Sequence, residues 1–121
     1  INPVVTPQTL VSMTDLAKDI YVDALVLDYI ARVVDATRSA DQVRLGVSIR
    51  GALALTRATR ARAASQGRTY ATPDDVKALV IPTLAHRLIL QAEAEFDGVT
   101  AEAVLGQVLM EVPPPTQREA V

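Results

Sequence analysis

No cysteine occurs in the 121 residues, and histidine occurs once, at position 86. Without cysteine there is neither a disulfide frame nor thiol chemistry, a composition that fits a reducing cytoplasm. With one histidine, no serine or threonine has a second base to draw on, so triad chemistry is not expected, and a metal site would lack its commonest ligand type. His86 suits a helix-end cation better. Long apolar runs are missing too. Ala24 to Leu27 and Ala78 to Ile81 are far too short to span a bilayer, and nothing reads as a signal peptide. A formal net charge of −2 supplies no global attraction to nucleic acid or anionic lipid. Gly46 and Gly51 have the spacing of a phosphate-binding loop, but Ala52-Leu53 stands where the Lys-Ser/Thr pair should be, so there is no Walker A motif. No Walker B segment is credited either, and the chain alone is expected to hydrolyse nothing.

Half of the sequence is hydrophobic, enough for one domain with one core. The apolar positions recur at helical spacing, which predicts an all-α fold, a small bundle of about five helices. Thr6-Pro7 starts the first, from Pro7 to about Asp19, with Leu10, Met13, Leu16, Ala17 and Ile20 expected on its buried face. The second, roughly Asp23 to Arg38, carries Leu25, Val26, Tyr29, Ile30, Val33 and Val34 as a core stripe. A loop follows, with a short extended piece at Gln42 to Leu45. The third helix begins after Ser48 and runs to about Gln66. Thr72-Pro73-Asp74-Asp75 is the clearest start, with a capping-box acceptor at Asp75. Pro82 kinks or ends that helix, Leu84 to Leu90 reads as a helical segment turning extended, and a last helix covers Thr100 to about Glu111.

The stretch Gly46-Val47-Ser48-Ile49-Arg50-Gly51 carries the chemistry. Ser48 is a good N-cap, which places Arg50 at about the second helical position. A cation is disfavoured there, because the helix dipole puts partial positive charge at its N-terminus. A bound anion would relieve the conflict: free amides plus an arginine fork make a phosphate site. From these residues alone, an ion pair to a carboxylate such as Asp41, or plain solvation, is the simpler account. Arg57, Arg60, Arg62 and Arg68 follow, but at about 100° per residue they scatter around the helix, as a solvated face does. Direct nucleic-acid binding is therefore not expected.

Glycine, small residue, serine, any residue, arginine resembles the sensor-2 segment of the MoxR family of AAA+ ATPases. Tyr21-Val22-Asp23 with Val26-Leu27-Asp28-Tyr29-Ile30 and Ala36-Thr37-Arg38 resembles the second helix of the MoxR lid, and Gly67 to Val76 with Ala85-His86-Arg87-Leu88 resembles the stretches after sensor 2. Ile49 and Gly51 depart from the proline and alanine frequent in the family, which implies a slightly looser helix start. The resemblance implies a C-terminal lid domain that closes over ATP and Mg held by a P-loop core outside this chain, Arg50 being the catalytic and nucleotide-binding residue. It further implies that Ile20 and Tyr21 face the adenine, although both also suit plain core. Partners would be the upstream core, neighbouring subunits of a homo-oligomeric ring, and von Willebrand factor A domain proteins served by chaperone-like remodelling. On this reading residues 1–5 are linker, 6–112 the lid and 113–121 a flexible tail, and a chain opening at Ile1 is an excised piece. The alternative is a freestanding interaction module: Arg68 to Leu79 is also similar to the last-helix region of histone-fold proteins, which dimerise or bind DNA.

Overall fold

The computed structural model describes residues 2–116. Six α-helices run in the order α1 (Pro7–Lys18), α2 (Ala24–Ser39), α3 (Ile49–Ser65), α4 (Pro73–Leu84), α5 (Ala92–Phe96) and α6 (Ala101–Glu111). Strand β1 (Val43–Leu45) follows α2, and β2 (Ile89–Leu90) follows a 3-10 turn at Ala85–Arg87; the two pair antiparallel. The largely all-α bundle is as expected, the strands fall where Gln42 to Leu45 and the end of Leu84 to Leu90 were expected to be extended, and the five-residue α5 is an addition. Five residues carry too little periodicity to announce a helix. The expected tail is described only as far as Thr116, where residues 113–116 have no regular structure; residues 117–121 and Ile1 lie outside the described residues.

The core forms where α2, α3, α4 and α6 meet. Tyr29, Val33, Val47, Leu55, Val80 and Leu105 are all fully buried there. Each helix start is written in local chemistry. Thr6, Asp23 and Thr100 accept from backbone amides of the first turns of α1, α2 and α6, and Thr72 with Asp75 closes a complete capping box on α4. Pro82 does not end α4, which runs on to Leu84.

The first helix departs from expectation. Its apolar side was expected to be buried, yet α1 buries no residue, and Leu10, Met13 and Leu16 are more than half exposed. The reason is geometric: among the described residues α1 packs chiefly along α3.

Beyond α1 the chain is stitched down. Tyr21 N–H donates to the Thr69 carbonyl at 2.9 Å, and Ala71 N–H donates to the Tyr21 carbonyl at 2.9 Å, a parallel bridge between the α1–α2 and α3–α4 connections. Beneath it Ile20, Ala63 and Ala71 form a small second core.

A buried charge locks the same corner. Asp75 is fully buried, and its carboxylate accepts from Arg62 Nη1 (2.5 Å), from Arg68 Nη1 and Nη2 (2.7 and 2.5 Å) and from Thr72 N–H (2.8 Å). Arg62 and Arg68 are therefore not the solvated residues that their scatter suggested: they converge from the end of α3 and the loop after it onto the start of α4. Burial opposes ionisation of Asp75, but hydrogen bonds from Arg68, the Thr72 backbone and Arg62 outweigh it and hold its pKa at about 2 against an ordinary 3.8. A depressed carboxylate stabilises the fold fully above its unfolded value, and the contribution fades as pH falls from 3.8 through about 2. It amounts to about 2 kcal/mol. Asp75→Asn is expected to cost about 3 kcal/mol, since two arginines lose their anion. Urea titrations at pH 7 and pH 2.5 check this. The deficit shrinks at the lower pH if the carboxylate is the cause, and stays constant if only packing was disturbed.

Candidate functional site

The start of α3 is held from behind by the end of α2. Thr37 is fully buried: its hydroxyl donates to the Val34 carbonyl at 2.6 Å and accepts from Val47 N–H at 3.0 Å. Its neighbour Arg38 donates from Nε to the Val47 carbonyl at 3.0 Å. Both backbone groups of Val47 are thus taken by consecutive side chains of α2, while the Val47 side chain fills the core. The turn before it fits only as glycine. A Cβ on Gly46 would sit 2.8 Å from Arg38 Cα and 2.9 Å from its nitrogen, and backbone cannot step aside.

Gly51 is also a contact position, not the loosening departure expected of it. A Cβ there would collide with Val47 Cγ1 and come within 3.2 Å of Arg87 Cδ, so the missing methyl lets α3 begin flush against its neighbours.

Ser48 occupies the N-cap with extended backbone, but its hydroxyl makes no capping hydrogen bond, contrary to expectation. With Val47 anchored, the chain enters α3 without that help. No acidic residue lies in the first turn. Arg50 is exposed there and, among the described residues, has no ion pair, with Asp41 or any other carboxylate. A helix start without a side-chain cap and a guanidinium without an ion pair are chemically suited to an anion.

The other two predicted residues lie elsewhere. Ile20 is 5% exposed and packs on Ala63, thirteen positions along α3 from Arg50, which puts about 20 Å of helix between the two points. Tyr21 beside it is 63% exposed. The chain therefore brings Ile20 and Tyr21 together but not to Arg50, and Ile20 is committed to packing. Thr37, Arg38 and Asp75 do the positioning, and sequence reasoning assigned none of them that task. The one available signal was Ala36-Thr37-Arg38, visible as a motif without a mechanism.

The AAA lid domain family matches residues 35–108. The chain belongs to that family. It is 36% identical to the uncharacterized protein YeaC of Bacillus subtilis over its whole length, and 34% identical to the chaperone MoxR1 of Mycobacterium tuberculosis over 112 residues. Half of it is 44% identical to protein MoxR of Paracoccus denitrificans. A solved structure described as a candidate ATPase from Cytophaga hutchinsonii superposes with a TM-score of 0.80, at 28% identity over 84% of this chain and 34% of that one. The lid spans 38% and 30% of the first two relatives' lengths. It is a MoxR-type AAA+ lid, and the histone-like alternative falls away. Its α2 and α3, with 16 and 17 residues, also lack the single long central helix that a histone fold needs. Among the described residues no helix is long and apolar enough to cross a membrane.

Replacing Thr37 by valine keeps its shape but orphans the buried Val47 N–H, and is expected to cost about 1–3 kcal/mol. Amide exchange at Val47 to Gly51 should accelerate more than exchange in α6. Uniform acceleration would show that Thr37 supports the whole core and not this junction in particular.

Proposed function

We propose that the lid serves a parent AAA+ ATPase as the carrier of its sensor-2 arginine. Arg50 is the residue on which the reading turns. It stands at the start of a 17-residue helix, exposed and without a carboxylate partner among the described residues, in the position where the helix dipole disfavours a cation. A terminal phosphate delivered by the P-loop core of the parent would relieve that conflict. Arg50 would then stabilise negative charge there and tie the angle of the lid to nucleotide state.

The ATP and Mg supply the phosphoryl chemistry when bound. This chain contributes a guanidinium and the rigid junction of Thr37, Arg38 and Val47 that aims it. Tyr21, exposed at the far end of α3, is the candidate for an adenine contact, with Ile20 as the buried support beneath it. In this reading residues 1–5 belong to the connection from the core, and the segment after Val112 is a tail. The parent works in the cytoplasm as a homo-oligomeric ring and remodels partners in a chaperone-like way. Proteins with von Willebrand factor A domains are candidate partners. The likeness to a chaperone MoxR1 and to a candidate ATPase supports the direction of this reading.

Arg50→Ala in the parent should lower ATP turnover by roughly 10²-fold or more, in the range of other lost charge-stabilising donors, without shifting the unfolding midpoint of the isolated lid. Steady-state hydrolysis beside circular dichroism of the lid checks both halves. Unchanged turnover removes Arg50 from the mechanism.

A further inference from the structure

Four large apolar residues of α1 stay largely uncovered among the described residues. Leu10, Val11, Met13 and Leu16 are 54%, 62%, 55% and 57% exposed. Between this helix and α3 lies an open groove of about 470 Å³, with Met13, Leu16, Ala61 and Ala64 along it. Three cations line it as well, Lys18, which already pairs with Asp15 of its own helix at 3.9 Å, and Arg57 and Arg60. Arg60 Nε is buried without a hydrogen-bond partner, and among the described residues neither Arg57 nor Arg60 has an ion pair. A buried guanidinium N–H without an acceptor is costly, so this groove lacks a negative partner as well as an apolar one.

We propose that the groove seats an amphipathic helix from the part of the parent polypeptide outside residues 1–121, apolar on its inner face and bearing aspartate or glutamate at the edge that meets Lys18, Arg57 and Arg60. Two observations select this occupant. The chain spans 38% and 30% of two relatives' lengths, so most of a polypeptide of that size lies outside it, and a tethered segment meets the groove at high effective concentration. The charge lining the groove is of one sign.

The proposal rests on the reading of this chain as a lid of a longer ATPase. Amide exchange in α1 and in residues 57–65 of α3 tests it, compared between the 121-residue chain and the full-length parent, each at low and high concentration. The expected result is at least tenfold slower exchange of α1 in the parent, independent of concentration. Leu16→Asp and Arg60→Glu in the parent should each abolish that protection while leaving α2 and α6 as they were. Equal exchange in both proteins overturns the proposal. Protection that grows with concentration also overturns it and assigns the groove to a second copy. If Leu16→Asp removes protection and Arg60→Glu does not, the acidic partner is refuted. Failure here is separable from failure of the sensor reading: a parent that needs Arg50 for turnover yet leaves α1 open loses only this inference.

Discussion

The bonds between Val47 and the end of α2 fix where α3 begins. Peptide N–H and C=O groups inside a protein must find partners, and a turn between two helices has no ladder to supply them. Here Thr37 and Arg38 supply both, and the strict glycine at position 46 brings the chain close enough for them to reach. A helix that would otherwise start wherever its cap allowed is started at one place, with Ile49 and Arg50 of its first turn exposed. Rigid mounting is what a charged group needs if its position is to report on a ligand.

The far end of α3 is fixed by different physics. Buried ion pairs repay their desolvation only when geometry is close and remaining acceptor sites are filled. Asp75 meets both conditions, since two arginines and the Thr72 backbone share its two oxygens. Because Arg62 and Arg68 are partly exposed, the charge density is open to solvent on one side while the carboxylate is enclosed. The pair of clamps leaves α3 little freedom to slide or tilt against α4, its main neighbour.

Periodicity disclosed most of the fold. The stripe through Val26, Tyr29, Ile30 and Val33, the capping box at Thr72 and the stop before Gly67 follow from local rules, and local rules act within a turn or two. What depended on distant partners stayed hidden. The apolar side of α1 promised burial, but periodicity names a face without naming what covers it. Arg62 and Arg68 looked scattered because they are plotted on a helix, whereas they meet at a carboxylate in another element. Gly51 read as a flexible start and proved to be a point of close approach, since glycine has the same symbol in both roles. Arg50 itself was legible as an unfavourably placed cation, and its exposure is the part that only coordinates could supply.

The central claim is that Arg50 is held ready for a phosphate brought by another domain. A crystal structure of the parent ATPase with a non-hydrolysable nucleotide and Mg tests it most directly. The account predicts the Arg50 guanidinium within about 3 Å of a terminal phosphate oxygen, with the Thr37, Arg38 and Val47 bonds unchanged from those described here. A guanidinium paired with a carboxylate of the core, or turned away from the nucleotide, would contradict it.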